Sequence, residues 1–263
     1  MAFDIEKIRP QVWRLWDAEK NSFYLVEGEE KAALIDTGIT VGARILPVLR
    51  SLTDKPIVLI LTHAHIDHFH HMDEFDTVYM SQEEFQLGKE ILRYMMAGKD
   101  LDLAATRHIA TGDVIDLGGC TLEICHVPGH TPGSVAVYDG RDRIVFTGDA
   151  IGSGCGVWMQ LPGSLSLRDY EKSLLSFLGW LLEKGGDMDF WGGHCNQSWE
   201  SRQVPGFNPL SMGLLADLID LTRKLYRGEI TGEFVEMDPS LRNREARYAA
   251  WGRAEMLYDP DNL

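Results

Sequence analysis

Three histidines and an aspartate fall within six positions of this 263-residue sequence, at His63, His65, Asp67 and His68. They stand directly after an apolar run, Ile57 to Leu61, which is short and rich in β-branched residues and so reads as a buried strand that stops where polarity begins. Residues two apart in an extended segment point to the same side, so His63 and His65 can converge on one point. Asp67 and His68 follow as the chain turns toward a helix, and they can address a second point close by. Imidazole nitrogens together with a carboxylate suit zinc, iron or manganese. A lone histidine at a strand end would read as a loop residue, whereas H-x-H-x-D-H after a buried strand reads as a metal site.

Other strand ends offer groups of the same kind. The run Pro128-Gly129-His130-Thr131-Pro132-Gly133-Ser134 sets His130 in a tight loop between two expected strands, Thr121 to Val127 and Ser134 to Tyr138. Asp149 closes an expected strand from Arg143 to Thr147, and His194 closes one from Asp189 to Trp191. Asp36 ends a strand from Lys31 to Ile35, either as a turn residue or as a support for a ligand histidine. His70 and His71 lie just past the motif and read as surface residues, because the four preceding positions already supply the site.

These breaks need elements to position them. Gln11 to Trp16, Asn21 to Val26 and Lys31 to Ile35 read as an antiparallel meander. Apolar residues at helical spacing mark Val41 to Leu52, Ser166 to Glu183 and Pro209 to Arg227. The middle helix would bury Leu167, Tyr170, Leu174, Leu175, Leu178, Leu181 and Leu182. Thr77 to Met80 reads as a strand, after which Ser81 and Glu84 form an S-x-x-E capping box for a helix running to about Met96. Asp113 to Leu117 is a further short strand. The segment from Gly98 to Ala110 is irregular and, with the helix from Pro209, is a candidate cover for the site. Trp158, Met159, Leu161 and Trp199 either line a partly apolar pocket or pack the following helix. The tail from Thr231 onward is rich in charge and turn residues. Its arginines, Arg242, Arg244, Arg247 and Arg253, read as a solvated face rather than an anion site.

Hydrophobic content of 44% and charged content of 25% describe an ordinary globular chain. No repeat or linker divides it, so one domain over residues 1–263 is expected, with a core at about 10–200 and the C-terminal helix and tail, 201–263, packed on it. A net charge of −15 argues against nucleic acid or an anionic membrane as partner. Small anionic substrates stay possible, because a metal site is locally cationic. Cys120, Cys125, Cys155 and Cys195 form no C-x-x-C pair, the N-terminus lacks the basic-then-apolar order of a signal peptide, and no run is long enough to span a bilayer. A cytoplasmic location is expected. The helix at 209–227 could serve a homodimer as readily as a core.

Seven potential ligands, each at the polar end of an apolar run, exceed what one zinc needs and suit two metals bridged by a carboxylate and a hydroxide. The pattern resembles the metallo-β-lactamase superfamily, on five short motifs in family order: L-I-D-T-G at 34–38, T-H-A-H-I-D-H at 62–68, P-G-H-T-P-G-S at 128–134, F-T-G-D-A at 146–150 and G-G-H at 192–194. The resemblance implies an α/β fold, a four-layer αββα sandwich with the metals at one edge between two sheets. It implies His63, His65 and His130 as ligands of a first metal, Asp67, His68 and His194 of a second, Asp149 as the bridge, and Asp36 as the family's supporting aspartate. The cofactors implied are two divalent ions, zinc first, with manganese or iron(II) as alternatives. The chemistry implied is hydrolysis by a metal-bound hydroxide that Asp67 orients.

Departures from the family's branches narrow that reading. Zinc β-lactamases generally lack the bridging aspartate, which is present here as Asp149. Hydroxyacylglutathione hydrolases usually carry a G-C-G-R segment, but here Gly154-Cys155-Gly156 leads to Val157-Trp158. Nucleic-acid-processing members carry additional histidine motifs and basic exosites, and flavodiiron members place a glutamate in the motif and append a flavin domain. No tyrosine stands between Ala150 and Gly156, where some lactonases have one. The expected function is a metallo-hydrolase acting on an ester, lactone or thioester of a small molecule. The alternatives are a phosphodiesterase on the same site and a mononuclear iron oxygenase acting on a thiol or persulfide.

Overall fold

The computed structural model describes residues 2–87, 106–152, 156–194, 210–236 and 246–263. The first sheet has seven strands in chain order: β1 (Asp4–Arg9), β2 (Val12–Trp16), β3 (Ser22–Glu27), β4 (Ala32–Ile35), β5 (Ile57–Ile60), β6 (Val78–Ser81) and β7 (Arg107–Ile109). β1 to β4 form the antiparallel meander and β5 to β7 add in parallel. The second half contributes β8 (Val114–Asp116), β9 (Thr121–His126), β10 (Val135–Asp139), β11 (Ile144–Gly148), β12 (Val157–Met159) and β13 (Asp189–Gly192). Five of these make the second sheet in the order β13-β11-β10-β9-β8. β12 departs to a third sheet with β14 (Glu233–Val235), β15 (Ala246–Trp251) and β16 (Ala254–Tyr258). The helices are α1 (Leu46–Arg50), α2 (Ile66–Phe69), α3 (Leu167–Glu183) and α4 (Met212–Tyr226). None among the described residues is long and apolar enough to cross a membrane.

Strand alternation builds the layers. In β3, Phe23 and Leu25 join Ile45, Leu49 and Phe69 on the outer face of the first sheet. Tyr24 and Val26 turn inward to meet Leu122, Ile124, Val137 and Phe146 of the second sheet. In β10, Val135 and Val137 face that central core, while Ala136 and Tyr138 face outward to α3, α4 and the third sheet. Period-two patterning on both sheets, with helices outside each, gives the αββα sandwich. Cys120 and Cys125 are buried in it, and burial pushes each thiol up to about 12. Cys155 and Cys195 lie outside the described residues.

Several expectations need correction. The helix expected over Val41 to Leu52 forms only at Leu46–Arg50. Gly42 takes a positive φ of 80°, and the Glu74 carboxylate accepts from Ile45 N and Leu46 N, so the start is fixed at residue 46 by a side chain from 28 positions on. Ser81 caps a 3₁₀ turn, Gln82–Gln86, by accepting from Glu83 N. Its continuation beyond residue 87 lies outside the described residues. Leu175 and Leu182 are exposed, while Phe177 is buried in the face of α3. The turn-rich tail is largely β-structure: β15 pairs antiparallel with both β14 and β16, and β16 pairs parallel with β12. Arg247 donates to the Gly232 carbonyl and Arg253 pairs with Asp217 of α4; Arg242 and Arg244 lie outside the described residues. α4 packs on α3, β15 and β16 in the outer layer, and Leu210 ahead of it joins Ala150 and Ile151, next to Asp149 in the chain. Arg107–Ile109 of the expected irregular segment is β7, and residues 98–105 are not described.

Candidate metal centre

At one edge between the two sheets, successive strands stop at groups that carry lone pairs. β4 runs into Asp36 and β5 into His63 and His65, α2 carries Asp67 and His68, and the β9–β10 connection carries His130. β11 runs into Asp149 and β13 into His194. The first sheet also fixes the last of these groups. Asn21 bridges to His194, Ser22 N donates to the Gly193 carbonyl at 2.7 Å, and the Tyr24 hydroxyl donates to the Gly192 carbonyl at 2.6 Å.

Among the described residues, three sets of donor atoms each gather within 4.8 Å: His63, His65 and His130; His63, His68 and Asp149; and Asp67, His68 and His194. In the first set, His65 Nδ1 lies 3.0 Å from His63 Nε2 and 2.9 Å from His130 Nε2. Hydrogen bonds at the far side of two rings assign their tautomers. His130 Nδ1 donates to the Trp158 carbonyl at 2.7 Å, which leaves a lone pair on Nε2. The Thr62 hydroxyl donates to Asp36 Oδ2 at 2.7 Å, so it accepts from His63 Nδ1 at 3.1 Å and leaves Nε2 bare as well. Imidazole lone pairs converging at this range fit a shared cation.

The second group is built the same way. His68 Nδ1 donates to Asp36 Oδ2 at 2.9 Å and turns Nε2 toward Asp149 Oδ2 at 3.5 Å and Asp67 Oδ2 at 3.7 Å. His194 Nε2 lies 3.2 Å from Asp149 Oδ2 and 3.6 Å from Asp67 Oδ2. Asp149 Oδ2 is also 3.7 Å from His130 Nε2, so this carboxylate stands between the two groups. His68 Nε2 and Asp149 Oδ1 are buried with no hydrogen-bond partner, an arrangement that native interiors avoid unless an ion or water completes it. Gly193 closes on these atoms: a Cβ there would fall 2.2 Å from Asp149 Oδ1 and 2.6 Å from His68 Cε1. The donor set is therefore compatible with metal binding.

Electrostatics separate the rings. Burial, reinforced by neighbouring imidazoles, holds His63 and His65 well below the usual histidine range. Burial also lowers His130, against the pull of Asp149. Burial would lower His68 too, but Asp149, Asp67 and Asp36 together raise it well above that range, and Asp149 chiefly raises His194. Burial would raise Asp149, yet His194 and His68 hold it well below the carboxylate range. The first group is thus held neutral, with lone pairs free, whereas the carboxylates favour the protonated form of His68 and His194, protons that a metal ion binding there displaces.

All seven residues read from the sequence meet in this cluster, and Asp36 supports it rather than serving as a turn alone. Asp36 adopts a left-handed φ of 61° and accepts from Thr62 N as well. His70 and His71 stand outside the three sets. His71 is buried rather than on the surface and contacts Glu74 at 3.1 Å. Met159 belongs to the outer core; Trp199 lies outside the described residues. The sequence reading missed three groups. Thr62 connects Asp36 to His63, the Trp158 carbonyl orients His130, and Glu84 is fully buried between the two ligand loops. The Glu84 carboxylate accepts from the Thr131 hydroxyl and from the N–H groups of Gly133 and Ala64. Thr62 and Glu84 were visible only as members of local motifs; a carbonyl leaves no mark in a sequence.

Comparison with known proteins agrees with this geometry. The family model described as the metallo-beta-lactamase superfamily matches residues 16–187. A hydroxyacylglutathione hydrolase, GloC, of Haemophilus influenzae is 28% identical over 210 residues, covering 75% of this chain and 92% of that one. An acyl-coenzyme A thioesterase of Bos taurus is 28% identical over 166 residues, 51% of this chain, and the match spans only 59% of the relative's length. Among solved structures, a metallo-beta-lactamase from Pontibacter korlensis superposes with a TM-score of 0.61 at 19% identity, covering 84% of this chain and 99% of that one. That last likeness speaks for the fold alone.

Proposed function

Because the chain belongs to the metallo-β-lactamase superfamily, we propose that it is a metal-dependent hydrolase that cleaves thioesters of small molecules. The observation that carries the metal dependence is the pair of buried, unpartnered atoms, His68 Nε2 and Asp149 Oδ1, inside a cluster of seven ligand groups. In this reading His63, His65 and His130 would hold one divalent ion and Asp67, His68 and His194 a second, with Asp149, which stands between the two groups, able to serve both. Zinc is the first choice on the nitrogen-rich donor set. Bound divalent ions supply Lewis acidity, bringing water's pKa to about 7 and polarising an acyl carbonyl.

The remaining work falls to the chain's own side chains. Asp67 is the more open carboxylate, its side chain 28% exposed against 5% for Asp149. That openness supports giving Asp67 the role of orienting the attacking hydroxide. Asp36 fixes the His68 ring directly and the His63 ring through Thr62, so one carboxylate sets a tautomer in each ligand group.

The leaving group decides between acyl substrates. No tyrosine stands between Ala150 and Gly156, and the buried Tyr170 hydroxyl is committed to the Ala150 carbonyl at 2.6 Å. A thiol, with an ordinary pKa of about 8.5, leaves as thiolate without an acid, whereas an alcohol does not. Likeness to an acyl-coenzyme A thioesterase and a hydroxyacylglutathione hydrolase supports the same choice. The test is hydrolysis of acyl thioesters, oxygen esters, lactones and phosphodiesters by protein of measured metal content. About two divalent ions per chain and a preference for thioesters are expected. About one iron per chain with oxygen uptake on a thiol would sink the proposal, as would a preference for phosphodiesters.

A further inference from the structure

The segment after β12 is fastened to His130 at both ends. The Trp158 carbonyl accepts from His130 Nδ1 at 2.7 Å. Six residues on, Ser164 Oγ donates to the His130 carbonyl at 2.9 Å, and Leu165 N donates to the Gly129 carbonyl at 2.9 Å. Residues 158–164 thus form an arch pinned beside a ligand histidine, and the chain's short reach keeps its middle close to that histidine. Val157 and Met159 point into the outer core, so strand alternation puts Trp158 on the opposite face of β12, and Gln160 follows directly after the strand.

The start of this arch carries polar atoms without partners. Gln160 is only 6% exposed, yet neither its amide oxygen nor its amide nitrogen makes a hydrogen bond, and the Trp158 indole N–H makes none. Buried polar atoms are paired in all but a small minority of cases. Three unpaired atoms on two neighbouring side chains therefore point to a ligand. A glutamine amide can accept from an amide N–H, and the indole N–H can donate to an amide carbonyl, so the two side chains together offer partners for both groups of a secondary amide, which point to opposite sides.

We propose that Gln160 and the Trp158 indole N–H form a subsite that recognises a secondary amide in the thiol half of the substrate. This rests on the thioester reading. Cysteinyl peptides and pantetheine share the feature: in both, an amide nitrogen stands two carbons from the sulfur. The amide engages the arch while the thioester carbonyl reaches the metal centre beside His130.

The test compares kcat/KM of the metal-loaded protein on one acyl group carried by two thiols. The first is N-acetylcysteamine, which has the amide, and the second is an alkanethiol of equal length, which lacks it. The wild type should favour the amide-bearing thioester by about tenfold or more, because a site built for a polar group discriminates strongly against its absence. The ratio should fall toward one in Gln160→Leu. It should also fall in Trp158→Phe, which keeps an aromatic side chain but removes the indole N–H with its five-membered ring, so the result does not hang on one variant folding. Acyl-glutathione and acyl-pantetheine arms then tell the two sources apart, the faster naming the carrier. Equal rates on both thiols in the wild type would overturn the subsite and leave the thioester reading standing. Failure to cleave any thioester would overturn both.

Discussion

Glu84 shows how one side chain can be misread locally and matter globally. Three residues after Ser81, it matches a capping box, but its carboxylate turns away from the 3₁₀ turn. It joins the loop around Ala64 to the loop at Thr131 and Gly133, and so ties the two stretches that carry His63, His65 and His130. Burial raises its pKa from 4.5 to about 7, against the hydrogen bonds from Thr131, Gly133 and Ala64, with Glu83 adding a little in the same direction as burial. A carboxyl raised on folding lends stability in full below its unfolded pKa and loses it as pH climbs through the folded one. Wild-type stability should therefore fall by about 3 kcal/mol relative to Glu84→Gln between pH 4.5 and pH 8, since a glutamine does not titrate. Denaturant unfolding of both proteins across that range measures the difference, and a pH-independent gap would show that Glu84 keeps an ordinary pKa. The ligands themselves were legible because each ends an apolar run. Partners such as Thr62 and Glu84 were not, because their meaning lies in contacts made across 26 and 47 positions of chain.

At the scale of elements, the long-range signal failed where strands were short or polar. β1 carries Asp4, Glu6 and Lys7 along an exposed edge of the sheet, the composition that protects edges from pairing with other chains and also hides a strand. The tail fails for a related reason. β15 buries only Ala246 and Ala249, too little apolar surface to stand out among charges. Yet β16 pairs with β12 in register, Trp158 opposite Leu257, and the two run so close that a Cβ on Gly156 would fall 2.3 Å from the Glu255 carbonyl oxygen. The tail therefore braces the strand whose carbonyl orients His130. Met256, fully buried against the core beneath α3 and α4, is the residue that tests this. Met256→Ala should cost about 2–5 kcal/mol, as loss of a core side chain does, whereas a solvated appendage would cost under about 0.5 kcal/mol. Denaturant unfolding separates the two.

At the scale of the whole molecule, the sandwich was legible through the five family motifs, since strands buried on both faces show no alternation in the sequence, and the edge where those strands end collects charge that folding alone leaves unbalanced. His63, His65 and His130 are driven toward the neutral form while the bare Nε2 atoms of His63 and His130 converge on His65 Nδ1. The Asp149 carboxylate is buried with one oxygen unpartnered. A divalent ion in each group relieves both problems only in the folded state, so its binding free energy becomes folding free energy. At a free metal concentration about 100 times Kd, that linkage is worth about 2.7 kcal/mol per site, or about 5–10 °C in Tm for a chain of this size. Stripping the protein with a strong chelator should lower Tm by at least that amount and abolish thioester hydrolysis. Returning zinc should restore both, and a second rise in Tm beyond one equivalent would report the second site. An unchanged Tm and unchanged turnover after chelation would mean that the cluster is stable as a hydrogen-bonded core without metal, and would remove the basis for reading it as a metal centre.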